Sequence, residues 1–210
     1  SLIAATSNPL LEHALRDKLL QRRALAENLG ELEPLAVKLG LMQNTLKPRL
    51  RDAQLVVFAA DHGMAVDGIP VPPQGSTFDQ VNRLLSDQLP LAALAQVQGM
   101  DLTVVDAGVA EVMPARERLL TRKIAHGTRN ARVNPAMPVE RAHAAIRAGM
   151  EIGDSLRGNV VACAGLGVGA HESAALVLAR LGGCPLRELL LSHDDMDTDD
   201  LAHLLVVTQG

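Results

Sequence analysis

At 210 residues, with 48% hydrophobic and 21% charged content, the chain is long enough to bury a sizeable core and reads as one domain, not a disordered segment. Its 20 Lys+Arg against 24 Asp+Glu, and two Phe as the only aromatics, supply neither a basic field nor stacking platforms, so nucleic-acid binding is not expected. Cys163 and Cys184 are too few for a disulfide framework, no apolar run approaches the about 18 residues of a membrane span, and the N-terminus lacks a secretory signal pattern; a cytoplasmic protein without membrane contact is expected.

In chain order, Asn8-Pro9 reads as an N-cap and helix-starting proline. The helix that follows carries Leu11, Leu15 and Leu19 on one face, with Gly30 as its stop. A second helix is expected from Glu31 to about Asn44. Short β-rich runs follow at Leu55–Ala60, Leu102–Val105, Val160–Cys163 and Leu189–Leu191, separated by helical stretches near Thr77–Gln98, Val139–Leu156 and Glu172–Leu181. Strands alternating with helices imply an α/β fold: a three-layer, doubly wound, mostly parallel sheet, with residues 1–50 as a helical segment packed on a single domain spanning 1–210. Ligands of such sheets bind beyond the carboxyl ends of the strands. Those ends hold Asp61-His62-Gly63, Asp106-Ala107-Gly108, a glycine loop and Ser192-His193-Asp194.

The glycine loop lies in "VVACAGLGVGAHES", Val160 to Ser173. Gly165, Gly167 and Gly169 at alternate positions between a strand and a helix suit phosphate binding through backbone N–H groups. Gly165-x-Gly167-x-x-Ala170 also satisfies a dinucleotide fingerprint, with Asp194 placed to accept ribose hydroxyls. Alternatively the glycines only permit a tight turn and close packing. Asp61 and Asp106 are read equally as turn caps and as ligand contacts, and His62 as a strand-end or a catalytic histidine. His171 and Glu172 read as solvated first-turn residues or, alternatively, as functional ones, since a carboxylate there suits the helix dipole, and Cys163 reads as core packing. No metal site is expected: the seven histidines form no H-x-x-x-H pair, and Asp195-x-Asp197-x-Asp199 lacks the glycine and closing glutamate of a calcium loop, reading instead as an acidic turn capping a helix from Thr198.

A more specific signal is the series "VVFAADHGMAVDGIPVPPQGSTFDQV", "LGELEPLAVKLGLMQNTLKP", "DLTVVDAGV", "RKIAHGTRNARVNPAM" and "AIRAGMEIGDSL". Together these segments resemble the nicotinate-nucleotide:dimethylbenzimidazole phosphoribosyltransferases over most of the chain from Leu29 to about Gly183. The resemblance implies a Rossmann-like enzyme of cobalamin lower-ligand synthesis, a homodimer without cofactor. Its small-molecule substrates would be nicotinate mononucleotide and a benzimidazole, with phosphoribosyl passing to the azole nitrogen and nicotinate released.

Matched onto the family, Gly167 and Gly169 keep the phosphate-side glycines, with Gly165 beside them. Gln74 and Thr77 match positions of the azole pocket, and Asp61, His62 and Asp106 are the catalytic candidates nearest the sugar. The chain also departs from the pattern. The family loop resembles G-E-M-G-I-G-N-T-T; its glutamate falls on Gly165 and its Asn-Thr pair on Ala170 and His171. The chain ends at Gly210, where family members continue into a portion bearing the glutamate assigned as general base. Two alternatives therefore stand beside the enzyme: a catalytically impaired nucleotide-binding relative or half of a split enzyme, and a dinucleotide-binding domain. With a backbone cradle but no positioned base, the chain is expected to bind nicotinate mononucleotide and turn it over very slowly.

Overall fold

Asn8 starts the first helix in the expected way: its side chain accepts from the Leu11 N–H at 3.1 Å, and Pro9 occupies the first helical position. A computed structural model describes residues 5–24, 27–191 and 197–208. It divides into two compact units, Ser1–Arg51 and Asp52–Gly210. In the first, α1 (Pro9–Arg23) packs on α2 (Leu32–Met42), with buried Leu15 against Gly40 and Val37 buried on α2. An ion pair between Arg23 and Glu33 joins the two helices. The first helix ends at Arg23, short of Gly30; further along, the Asn28 side chain accepts from the Gly30 N–H at 2.8 Å.

Among the described residues, the second unit is built on a four-stranded sheet of order β3-β2-β1-β4, with every neighbouring pair parallel. The strands are β1 (Gln54–Ala60), β2 (Asp101–Gly108), β3 (Leu119–Thr121) and β4 (Val161–Leu166). Central β1 is a continuous apolar run because both of its faces are covered. Leu55, Val57 and Ala59 pack with Val81, Leu84 and Leu85 of α3 (Thr77–Leu85) and Ala92 and Ala95 of α4 (Pro90–Val97). On the opposite face Val56 meets Val105 and Ile152 of α5 (Val139–Ser155). These are the three layers the alternation implied. Fully burying side chains such as Leu84 and Val57 stabilises the sheet by about 1.5–3 kcal/mol each.

After β4, α6 (Ala170–Gly182), α7 (Leu186–Leu190) and α8 (Thr198–Thr208) form a helical cluster around Ala175, Leu190, Leu201 and Leu204. Among the described residues no helix is long and apolar enough to cross a membrane.

Several expectations are corrected here. Leu189–Leu191 is no strand: Leu189 and Leu190 belong to α7, which follows Pro185 and buries Leu190 completely, as a short apolar run fits either period. The expected single helix over Thr77–Gln98 is two, broken where Asp87 adopts φ +58° and Pro90 begins α4. β3 has three residues, too few for a periodic signal. Cys163 is exposed, not core, since β4 is an edge strand whose alternate residues are uncovered. Ser192, His193, Asp194 and Asp195 lie outside the described residues. Asp197 accepts from the Asp199 N–H at 3.1 Å at the start of α8, as an acidic turn should.

Candidate functional site

The chain leaves β1 and crosses to α3, α4 and β2 on one side, and after α5 it returns as β4 on the other. The gap between the carboxyl ends of β1 and β4 is thus the place where connections diverge, the usual ligand position in open parallel sheets. Pairing shifts register at the end of β1, so that Ala60 faces Gly108 and Ala107 is the extra residue of β2. Such irregularities re-aim the residues that follow.

Asp61 is the first of these. Its Oδ1 accepts the Thr77 hydroxyl at 2.6 Å, its Oδ2 accepts the Ala110 N–H at 2.7 Å, and its carbonyl accepts the Thr128 N–H at 3.1 Å. Thr77, only 1% exposed, is held there by the start of α3, where Ser76 and Asp79 make reciprocal capping bonds. The same Thr77 Oγ1 accepts the Val168 N–H at 3.0 Å. One aspartate and one threonine therefore fasten the loops after β1, β2 and β4 to the first turn of α3. Thr128 adds a further tie by accepting the Gly63 N–H at 3.1 Å, which packs "GTRN" over "DHG".

Asp106 lies deeper, 1% exposed. Its Oδ1 accepts the Val109 N–H at 2.9 Å and its Oδ2 lies 3.2 Å from Lys123 Nζ. That ion pair is electrostatic, without hydrogen-bond geometry, since Oδ2 has no hydrogen-bonded partner and Lys123 donates to the Glu111 carbonyl at 2.7 Å. Both strand-end acids are thus engaged by protein groups.

The loop from β4 to α6 needs two of its glycines for geometry alone. Gly167 has φ +144°, and a Cβ there would overlap the Ala60 carbonyl oxygen. Gly169 has φ +84°, and a Cβ would come 3.1 Å from His62 Cβ. Gly165 faces open space. The loop is pressed onto the end of β1 and opens directly into α6; the Ala170 N–H already bonds the Gly167 carbonyl at 3.1 Å, as Val168 N–H bonds Thr77, and the other N–H groups of the helix start favour anions.

His62 lies against this loop. Burial pushes its imidazole below the ordinary value, opposed by the nearby Asp61 and Glu172 carboxylates. Glu172, in the first turn of α6, is 8% exposed; its burial was not anticipated, because a first-turn acid ordinarily faces solvent. His171 instead lies 3.3 Å from the Leu190 carbonyl through Nε2. Gln74 is exposed in the Pro72–Gly75 turn just before α3.

A cavity of about 170 Å³ opens beside the ends of β1 and β2, lined by Ala60, Asp61, His62, Gly127, Met137 and Arg141 among others. A larger one of about 370 Å³ lies within the first unit around Arg23 and Glu33, without the strand ends that bring reactive groups together. Among the described residues no group of three or more His, Cys, Asp or Glu could hold a metal.

Comparison with known proteins agrees with this architecture. A family model described as "Phosphoribosyltransferase" matches residues 5–209. A nicotinate-nucleotide--dimethylbenzimidazole phosphoribosyltransferase of Janthinobacterium sp. (strain Marseille) is 32% identical over 207 residues, covering 99% of this chain and 60% of the relative. The one of Variovorax paradoxus (strain S110) is 38% identical over 174 residues, covering 83% and 50%. The crystal structure of CobT from Thermus thermophilus superimposes with a TM-score of 0.82 at 30% identity, over 95% of this chain and 61% of that one. The chain spans between half and about three fifths of the length of these relatives. With a match running through both units, the chain belongs to the phosphoribosyltransferase family.

Proposed function

We propose that this chain forms the nucleotide-binding part of a nicotinate-nucleotide:dimethylbenzimidazole phosphoribosyltransferase, which transfers phosphoribosyl from nicotinate mononucleotide to a benzimidazole in cobalamin lower-ligand synthesis. The observation that carries this is the Gly167–Gly169 loop, fastened to β1 through Val168, Thr77 and Asp61 at the divergence of the sheet. Rigid backbone donors at a helix start suit a phosphate monoester. In this reading the phosphate lies on Gly167, Gly169 and the first turn of α6, with Gly165 at its rim. The azole approaches exposed Gln74, and Thr77 acts by holding the loop in place. Asp61 and Asp106 are supports, not proton acceptors. The reading carries with it a cytoplasmic homodimer that needs no cofactor.

Gly165 favours a second reading, an impaired nucleotide-binding relative, since it brings no carboxylate where the resembled loop has glutamate. The dinucleotide alternative loses ground to the family match. Amide chemical shifts test the placement: nicotinate mononucleotide added to labelled protein is expected to move the signals of Gly167, Gly169 and the α6 first turn. Shifts confined to other segments would overturn it.

A further inference from the structure

One face of β4 is uncovered among the described residues. In register, Cys163 lies opposite Val56 and Gly165 opposite Phe58, so the odd residues of β4 point to the side of the sheet that α5 covers. Ala162, Ala164 and Leu166 point to the other side and pack into the α3 and α4 core. The cluster under α5 joins Val56 of β1, Val105 of β2 and Leu120 of β3 to Ile152, without a residue of β4. Val161 is accordingly 44% exposed, Cys163 is exposed, and a Cβ on Gly165 would meet nothing within 4 Å. Parallel strands ordinarily have both faces covered. The flank of α5 beside this face is open too. Ile152 points at the sheet, while Ala144, Arg147, Ala148 and Glu151 share a cavity with Thr121 and Ile124 on the β3 side. At about 100° per residue, Ile146, Gly149 and Gly153 fall on the opposite flank, toward β4. Ile146 is 61% exposed, and a Cβ on either glycine would meet nothing within 4 Å.

The edge of β4 is open in the plane of the sheet as well. Val160 gives its carbonyl to the Gln54 N–H at 3.2 Å, so the even positions of β4 bond β1, and the N–H and C=O groups of Val161, Cys163 and Gly165 point outward. Among the described residues no strand pairs with that edge. An open edge of this kind is a template for a further strand.

We propose that this groove and edge dock a helix-strand unit from the polypeptide that makes up the rest of the family's length. Its helix lies between α5 and the uncovered face of β4, and its strand adds in parallel to the outer edge. This rests on the reading of the chain as one part of a longer family fold. Three observations choose the occupant. About two fifths to one half of each relative compared above lies outside the match. Among the described strands, β1, β2 and β3 stand on one side of the divergence and β4 alone on the other. The winding then fixes the face: α5 carries the chain from β3 to β4 over this side, and a right-handed crossover continuing past β4 runs over the same side. The groove residues Val161, Cys163, Gly165, Ile146, Gly149 and Gly153 carry no charge, which suits the apolar stripe of a helix. Because the added strand is parallel, its carboxyl end falls beside the glycine loop, and the partner closes the open side of the site at Gly165.

The test co-expresses the full chain with the part of the Janthinobacterium relative that lies outside the match, as a separate polypeptide. Stoichiometry is read by light scattering and the groove by thiol labelling. A one-to-one complex is expected in which Cys163 labels about tenfold more slowly than in the free chain, with Cys184, after α6, as the reference thiol. Gly149→Arg fills open space, so the chain alone should keep its melting temperature while the complex weakens about tenfold or more. Val161→Pro removes an outward N–H from the edge and should weaken the complex likewise. The same relative part is also fused after Gly210 through a flexible Gly/Ser linker, which makes a weak contact intramolecular; protection of Cys163 there supports the proposal even where the separate part does not co-purify. Cys163 as reactive in the fusion and in the mixture as in the free chain overturns it, and so does a complex indifferent to Gly149→Arg. A homodimer of the chain alone that protects Cys163 overturns it too, since a second copy then fills the groove. None of these readouts involves a nucleotide, so absence of nicotinate mononucleotide binding in a parallel calorimetric titration overturns the proposed function and leaves the docking surface standing.

Discussion

The Thr77 hydroxyl donates to Asp61 Oδ1 at 2.6 Å and accepts from the Val168 N–H at 3.0 Å, so one oxygen joins the end of β1 to the glycine loop after β4. Thr77→Val keeps the shape but strands an aspartate oxygen and a backbone donor. A loss of about 1–3 kcal/mol in denaturant-measured stability is expected. Thr77→Ser, which keeps the hydroxyl, should retain most of it. A valine variant as stable as the parent would show that the bond does not hold the loop.

The glycines separate into two kinds. Gly165→Ala meets open space and should leave stability within about 0.5 kcal/mol. Gly167→Ala would drive a Cβ into the Ala60 carbonyl at φ +144° and should lower the melting temperature measurably. Substitution at Gly167 thus disturbs the fold before it disturbs a phosphate. Equal melting temperatures for the two variants would contradict the close approach.

Asp106 and Lys123 form a buried pair, 1% and 14% exposed at the side chain. Removing one charge strands the other, so Asp106→Asn should cost about 3–5 kcal/mol even though the amide oxygen can still accept from Val109. Because the pair is shielded, the loss should change little between low and high salt. A loss that vanishes in high salt would place the pair in solvent.

His62 sets a pH dependence of stability. Its folded-state value lies below the ordinary 6.5, so the unfolded chain binds more protons as pH falls through that range. Stability should be full above about pH 6.5 and decline as pH drops toward the lowered value. His62→Gln should flatten that part of the stability curve. A curve unchanged by the substitution would remove His62 as its source.

The legible parts of the fold were those with local causes. Leu55–Ala60 and Leu102–Val105 are β-branched or apolar runs that stop at an aspartate and a glycine, and Asn8-Pro9 is a self-contained helix start, so each could be read where it stands. Leu189–Leu191 could not, because five residues of α7 acquire their helical character from packing on Ala175 and Leu201. Within the site, the strand-end residues were found by position. The bond between Asp61 and Thr77 spans 16 residues and that between Thr77 and Val168 spans 91, so neither leaves a local pattern. Glu172 reads as a solvated first-turn acid for the same reason: its burial comes from tertiary packing around α6, which leaves no local pattern.

The central claim, that the fastened glycine loop holds the phosphate of nicotinate mononucleotide, is tested most directly by calorimetric titration of the chain with that nucleotide, with NAD as the comparison. Saturable one-site binding, competed by inorganic phosphate and accompanied by weaker or undetectable binding of NAD, is the result the account predicts. No heat with nicotinate mononucleotide, or tighter binding of NAD than of the mononucleotide, would contradict it.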